Sequence, residues 1–372
     1  MKIGIDARNL ASEHYTGIAR CVYEDIYIWI KDYPEHEFYL FSGQKLNIPL
    51  ELPSNWHVMD EPWIINSGKL WSIIKLPKMI KKLKLDVFWG PSFYLPKKVK
   101  GTRYYVTIHD LALFKFKGIG EFKNTLRIKL LTKKSCKKAD KIIAVSKATA
   151  DDVHELFNVR KDKIKVCYNG GLPTEFKTNK LKSNIISDNI IFKEEFFLFM
   201  STIEPRKNIC TIISAFEKFV RDNNSKMKLV LAGKRGWKCD DIYKKIENSK
   251  YRDQIIITGF ISDSDKEYLL KNAKAFVYPS LYEGFGIPIL EAFSYNIPVI
   301  TSRKSSMPEV GGNVAFYIED PLDVDGLALQ MLNIINMDTQ AKHELDKKMN
   351  MQVAKFSWGK NAKEIMKVFE EQ

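Results

Sequence analysis

Glu283 and Glu291, separated by seven residues, fall within the stretch Y-P-S-L-Y-E-G-F-G-I-P-I-L-E-A at 278–292. Ionised carboxylates only accept hydrogen bonds, at about four lone-pair sites each, which suits them to the neighbouring hydroxyls of a sugar or a ribose. The plainer alternative is that both acids complement a helix dipole, for about 0.3–1 kcal/mol each. Gly284 and Gly286 let backbone approach a ligand closely, and Pro288 suits the first helical position, where a missing N–H costs nothing. The N–H groups of Gly286 and Ile287 then point at whatever anion docks there. A second pair, Arg206 and Lys207 in F-M-S-T-I-E-P-R-K-N at 199–208, can clamp a diphosphate, Arg by its planar fork and Lys as a point charge. Two exposed cations ahead of a helix are an equally ordinary reading. Gly233 and Gly259 follow strand-like runs, where a nucleotide slides along the backbone or the chain merely turns. His109, also at a strand end, reads on its own as a capped or core histidine, and Asp110 as a turn former.

These residues need strands to hold them, and the chain supplies a regular series. Short β-branched and aromatic runs alternate with longer amphipathic segments, the pattern of βαβ units and a parallel sheet. The first half gives strands at Lys2 to Asp6, Glu37 to Phe41, Asp86 to Trp89, Arg103 to Ile108, Lys141 to Ser146 and Ile164 to Tyr168. The second half gives Phe196 to Met200, Lys228 to Ala232, Ile255 to Thr258, Ala275 to Tyr278, Pro298 to Thr301 and Val314 to Ile318. The 278–292 stretch thus follows a strand and opens a helix, where open α/β sheets bind ligands. At about 150 residues per domain, 372 residues make two doubly wound domains, 1–172 and 190–355, joined by a polar linker at 173–189. The last segment, 356–372, has helical apolar spacing behind Ser357, and the N-terminal domain is one candidate for the surface it packs on.

Composition excludes several classes. With 45% hydrophobic and 28% charged residues the chain is globular rather than disordered or collagen-like. No apolar run approaches the roughly 20 residues of a membrane span, and the start lacks the pattern of a signal peptide. Five scattered cysteines with no C-x-x-C point to a reducing cytoplasm. The six histidines form no ligand cluster, and no G-x-G-x-x-G follows the first strand, which argues against a nicotinamide dehydrogenase. Asp263-Ser264-Asp265 is a D-x-D of the kind that holds a divalent metal, but Ser262 and Asp263 lead an amphipathic stretch, so helix capping is the expected role. No metal site is expected. A net charge of +14 implies a polyanionic partner: nucleic acid, an acidic membrane face or a phosphorylated substrate.

Together the motifs resemble the retaining nucleotide-sugar glycosyltransferases of family four, through an E-x7-E at Glu283 to Glu291 within E-G-F-G-I-P-I-L-E-A. The resemblance extends through S-T-I-E-P-R-K-N, L-A-G-K-R-G-W, T-G-F-I-S-D and P-V-I-T-S-R-K-S-S-M-P-E-V-G-G. The first half adds D-A-R-N-L, T-G-I-A-R, I-H-D-L-A-L-F, V-S-K-A-T-A-D-D-V and Y-N-G-G. The likeness is strongest to bacterial O-antigen mannosyltransferases. It implies an α/β protein of GT-B fold, two Rossmann-like doubly wound domains facing a cleft, with no metal and no cofactor beyond the donor substrate. It further implies that Glu291 binds the donor ribose, Glu283 the sugar hydroxyls and Lys207 a phosphate. Phe285, Gly286 and Ile287 would present amides to the diphosphate or sugar, and Phe260 and Ile261 backbone to the base. Gly233 would border the nucleotide. His109 would reach the donor sugar, Gly17 would stand for the N-terminal glycine loop, and Arg206 would replace an arginine that is absent at Thr202. Glu309, Gly311 and Gly312 are expected to be structural.

The activity so implied is transfer of a hexose, best read as mannose from GDP-mannose, onto a lipid-linked glycan in O-antigen or lipopolysaccharide synthesis. A nucleotide-sugar epimerase on the same fold is the alternative. A nucleic-acid-binding protein is the third reading, and no RNP-like, zinc-finger or helix-turn-helix signature accompanies the charge, so nucleic acid is not an expected partner. The expected surface partner is the anionic inner face of the cytoplasmic membrane, met by basic amphipathic segments at Lys69 to Lys84 and Lys115 to Lys141.

Overall fold

The computed structural model describes every residue except 13, 14, 16, 61–70, 117–121, 173–193 and 372, and only the backbone of 122–124. The linker expected at 173–189 lies outside the described residues, as do Lys69, Leu70, Lys117 and Glu121. The chain divides into two compact units, Met1–Gly170 with Ser357–Gln372, and Gly171–Phe356.

The first unit holds β1 (Lys2–Asp6), β2 (Glu37–Phe41), β3 (Trp56–Met59), β4 (Val87–Gly90), β5 (Arg103–Ile108), β6 (Lys141–Ala144) and β7 (Ile164–Val166). All pair in parallel, in the order β3-β2-β1-β4-β5-β6-β7. The second holds β8 (Phe196–Met200), β9 (Lys228–Ala232), β10 (Ile255–Gly259), β11 (Ala275–Tyr278), β12 (Val299–Ser302) and β13 (Phe316–Ile318). Its order is β10-β9-β8-β11-β12-β13, again all parallel. Each sheet is wound outward from its first strand in both directions, so the order reverses between β1 and β4 and between β8 and β11. That reversal splays the connections apart and leaves a crevice at the carboxyl ends of the strands.

Helices cover both faces of such a sheet, so its central strands must be apolar on both sides. The runs F-F-L-F-M in β8 and A-F-V-Y in β11 are buried at every position. Strand β3 is the element that the sequence pattern does not announce. It lies on the sheet edge with a single neighbour, and its W-H-V-M run has Trp56 buried, Val58 exposed and His57 and Met59 half-buried.

The final helix, Trp358–Glu370, belongs to the first unit. Ser357 caps it, accepting from the Lys360 N–H at 3.1 Å, and its apolar face buries Trp358, Ile365, Met366 and Phe369. It lies on the helix Ile18–Asp32: the Trp29 indole donates to the Ala362 carbonyl at 3.0 Å, and the Trp29 and Phe369 rings meet at 5.9 Å. The Asn361 amide donates to the Tyr168 carbonyl at 2.9 Å and holds the helix start against the chain leaving β7.

Candidate active site

Strands β8 and β11 lie side by side, with Ala275 opposite Phe197 and Phe276 opposite Leu198. The loops that leave their carboxyl ends are therefore neighbours. Beyond β8 the chain makes a short 3-10 turn, Pro205–Lys207, and enters the helix Ile209–Asn223 through Asn208, held at φ 61°. The Leu281 N–H donates to the Arg206 carbonyl at 2.9 Å. The Asn208 amide donates to the Pro279 carbonyl at 3.1 Å and the Pro321 carbonyl at 2.5 Å. The two loops are thereby joined into one surface.

On it, Lys207 Nζ donates to Glu283 Oε1 at 2.6 Å and to the Tyr278 hydroxyl at 2.8 Å, and that hydroxyl donates to the same Oε1 at 3.0 Å. Arg206 Nη1 donates to Glu283 Oε2 at 3.2 Å and to the Tyr282 carbonyl at 2.9 Å. Its other edge meets Glu204, which also accepts from the Trp237 indole at 3.1 Å. Lys207 and Glu283 are both buried. Burial opposes ionisation of Glu283, but the charges of Lys207 and Arg206 outweigh it and hold the carboxyl at about 2. Burial likewise works against the Lys207 ammonium, and Glu283 reverses the balance and raises its pKa. The result is a permanently ionised carboxylate with a fixed orientation, and no proton to give or take at neutral pH.

Glu283 is aimed by the strand next door. Its N–H donates to Ser305 Oγ at 2.9 Å, while Ser306 Oγ donates to the carbonyls of Glu283 at 3.0 Å and Phe285 at 2.7 Å. Both serines leave β12, the neighbour of β11. Neither serine, nor the Tyr278 hydroxyl, was assigned a role from the sequence, although all three lie inside the motifs noted there. The signal that would have found them is position: polar residues just past the carboxyl ends of adjacent strands.

Gly286 takes φ 114° at the N-cap of the helix Ile287–Ser294, a conformation that side chains resist, and Ile287, with Pro288 behind it, opens the first turn. Pro288 is thus second in the helix rather than first, and its missing N–H remains without cost there. Glu291 is buried one turn in, and Lys266 Nζ donates to its Oε1 at 2.5 Å. Gly233 has a packing reason to be glycine: a Cβ there would meet the Ser201 carbonyl oxygen at 1.8 Å. Its N–H donates to the Gly259 carbonyl at 2.9 Å, which ties the ends of β9 and β10 together. Phe260, just past β10, is 55% exposed, and Ile261 is half-buried.

His109 and Gly17 belong to the first unit. His109 follows β5; its Nε2 lies 2.8 Å from the Pro91 carbonyl, so that nitrogen carries the proton and Nδ1 is left as the acceptor. Burial lowers its pKa against the opposing pull of that hydrogen bond and of Asp110. Asp110 accepts from the Ala112 N–H at 3.0 Å, the turn-forming role expected of it. Gly17 caps the helix Ile18–Asp32 at φ 55°. Gly311 and Gly312 pack a Tyr317 hydroxyl and the Gln352 amide closer than any Cβ would allow, which accounts for them structurally.

Asp263 and Asp265 lie inside the first turn of the helix Asp263–Asn272. Ser262 and Asp265 form a reciprocal capping box, with Ser262 Oγ accepting from the Asp265 N–H at 3.1 Å and Asp265 Oδ2 accepting from the Ser262 N–H at 3.3 Å. Asp265 is buried in that role. Among the described residues no cluster of three potential metal ligands occurs.

Comparison with known proteins agrees with the fold of two parallel sheets. Residues 182–356 match the family described as Glycosyl transferases group 1, and residues 36–170 match Glycosyltransferase Family 4. The O-antigen chain mannosyltransferase B of Escherichia coli is 29% identical over 305 residues, covering 80% of this chain and 77% of that protein. The serotype-specific mannosyltransferase WbdA of Escherichia coli is 32% identical over 231 residues, which are 60% of this chain but only 28% of that much longer protein. The crystal structure of Anabaena HepE in complex with UDP and glucose covers 100% of this chain and 99% of its own, with a TM-score of 0.70 at 17% identity. Two family matches, one in each unit, and two Rossmann-ordered parallel sheets agree: the chain belongs to the family four glycosyltransferases of GT-B fold, and is similar to O-antigen mannosyltransferases.

Proposed function

We propose that this glycosyltransferase moves mannose from GDP-mannose, with retention of configuration, onto a lipid-linked glycan in O-antigen or related surface polysaccharide synthesis. The observation that carries the reading is the similarity to O-antigen chain mannosyltransferase B along 80% of the chain. The site supports it chemically. Glu283, fixed and ionised, accepts hydrogen bonds from the donor sugar, and Glu291, steadied by Lys266, accepts from the ribose. An ammonium has three N–H donors, and Lys207 uses two on Tyr278 and Glu283, so the third serves the leaving diphosphate. The N-terminus of the helix Ile287–Ser294, with the amides of Phe285, Gly286 and Ile287, adds positive potential where that charge develops. Arg206 assists, and these cationic groups take the part a metal would otherwise play. Phe260 and Ile261 flank the base, with Gly233 at the end of the neighbouring strand.

The same reading places the protein on the inner face of the cytoplasmic membrane. Among the described residues no helix is long and apolar enough to cross a membrane. The segment Trp71–Leu83 buries Trp71, Leu76 and Ile80 but leaves Ile73 and Ile74 exposed beside Lys78, Lys81 and Lys82. Leu126 and Leu130 are exposed on the Lys-rich helix Phe122–Lys138. Such faces suit an anionic lipid interface. Donor identity is tested by thermal denaturation of the purified chain with GDP, UDP, dTDP or ADP. A ligand at about 100 times its Kd stabilises by about 2.7 kcal/mol, so GDP is expected to raise Tm. Stabilisation by another nucleotide and not by GDP would reassign the donor.

A further inference from the structure

The segments leading into β5, β6 and β7 line an open cavity of about 620 Å³, at the end of the first sheet opposite His109. Six cations line it: Lys98, Lys137, Lys138, Lys141, Arg160 and Lys163. Two acids stand among them. Asp140 pairs with Lys98 at 2.6 Å and uses its other oxygen on the Tyr104 N–H at 2.7 Å, and Asp162 pairs with Arg160 at 3.1 Å. The remaining four cations have no carboxylate at ion-pair distance among the described residues.

Three of these four are held in place: Lys141 Nζ donates to the Asp162 carbonyl at 3.0 Å, and the other two are fixed by two carbonyls each. Lys138 Nζ donates to the Leu95 and Pro96 carbonyls at 3.2 and 2.8 Å, and Lys163 Nζ to the Cys136 and Lys137 carbonyls at 3.1 and 2.9 Å. Each keeps a third N–H in hand, with the ammonium already oriented. Burial lowers the pKa of both; repulsion from Lys134 and Lys98 adds to it at Lys138, while at Lys163 the attraction of Asp140 opposes it and Lys98 adds to it. Lys137 is exposed, with no side-chain partner among the described residues. A cluster whose members repel one another, in a cavity large enough for a small molecule, is relieved by an anion that several of them share.

We propose that this cavity binds a phosphate-bearing anion, either a free diphosphate or the headgroup of an acidic lipid. The site is separate from the donor site and stands whether or not the donor is GDP-mannose. Phosphate oxygens accept from several fixed N–H donors at once, which a chloride or a carboxylate does less fully.

The test titrates inorganic pyrophosphate calorimetrically into the intact chain, into Lys137→Glu/Arg160→Glu, and into Lys207→Met, which disables the proposed donor phosphate site instead. Both reversed side chains are exposed and leave Lys138 and Lys163 holding their carbonyls. Lys137→Gln/Arg160→Gln serves as a milder second pair, with circular dichroism to check that each variant is folded. Lys207→Met is expected to retain a pyrophosphate site that the double reversal weakens at least tenfold. A parallel arm sediments the same proteins with phosphatidylglycerol vesicles and with phosphatidylcholine vesicles. Loss of phosphatidylglycerol binding along with pyrophosphate binding identifies the lipid headgroup as a ligand, and loss of pyrophosphate binding alone identifies the free anion. Wild-type affinity of both cavity variants for both probes, or no binding by the Lys207→Met protein to either, would overturn the proposal.

Discussion

Lys207 Nζ and Glu283 Oε1 lie 2.6 Å apart, both buried, at the carboxyl ends of two adjacent strands. With Arg206 and Tyr278, the pair fixes the carboxylate that is proposed to meet the donor sugar, so binding and folding share these contacts. Glu283→Gln exchanges one acceptor oxygen for a donor and leaves Lys207 without its counter-charge. Removing one partner of a buried pair costs about 3–5 kcal/mol, and the retained amide oxygen offsets part of that. We expect a lower Tm and a loss of transfer of about 10²-fold or more, measured where circular dichroism finds the variant folded. Wild-type turnover by the folded variant would remove Glu283 from the site.

The same contact sets a pH dependence. The folded pKa of Glu283, about 2, lies below its ordinary 4.5, so its contribution to stability is full above about 4.5 and is lost as pH falls from there through 2. Comparing Tm of the wild type and Glu283→Gln against pH should give a constant gap from about pH 6 to 8 and a gap that closes in acid. A gap that changes across the neutral range would mean that Glu283 is not held ionised by Lys207 and Arg206.

Asp25 behaves in the opposite sense. It is buried in the helix Ile18–Asp32 with Oδ1 unpartnered, and burial, with Glu24 adding to it, raises its pKa well above the ordinary 3.8. Between the ordinary and the raised pKa the fold keeps a proton that the unfolded chain gives up, which costs stability increasingly as pH rises above about 3.8. Asp25→Asn should raise Tm at neutral pH, by roughly 2–4 °C per kcal/mol recovered in a unit of this size, and flatten its decline as pH rises above about 3.8. An unchanged slope would show that Asp25 is charged in the fold.

The exposed apolar pair Ile73 and Ile74, on the segment proposed to meet the membrane, gives a third kind of test. Each cation near an anionic surface contributes about 1 kcal/mol within a Debye length of about 8 Å, and exposed Ile73 and Ile74 add apolar contact. Wild-type protein should sediment with phosphatidylglycerol vesicles at low salt and be released at high salt, and Ile73→Ser/Ile74→Ser should weaken that binding severalfold. Equal recovery of both proteins in the supernatant at low salt would refute the membrane contact.

The legible parts of the fold were those set by local pattern. β1, β2, β5, β8, β9 and β11 could be placed residue by residue because parallel strands covered on both faces read as short continuous apolar runs. β3 could not, because its four residues, W-H-V-M, are too few and are broken by His57, so they form no continuous apolar run. Ser262 and Asp265 were readable as a cap because both partners lie within one turn. The bonds between Lys207 and Glu283, 76 positions apart, and from Ser306 to Glu283, 23 positions apart, depend on strand order, which no local spacing encodes. Sequence therefore marked Lys207 and Glu283 as separate candidates, and only the adjacency of β8 and β11 joins them as one unit.

The central claim is hexosyl transfer with retention, and it is tested most directly by NMR of the product. Purified enzyme, GDP-mannose and a lipid-linked saccharide acceptor are combined in excess EDTA. The one-bond carbon–proton coupling of the new anomeric centre then reports its configuration. The account predicts an α-mannosyl product, formed only when acceptor is present and undiminished by chelation. A β-linked product, or free or epimerised sugar released from donor alone, would contradict it.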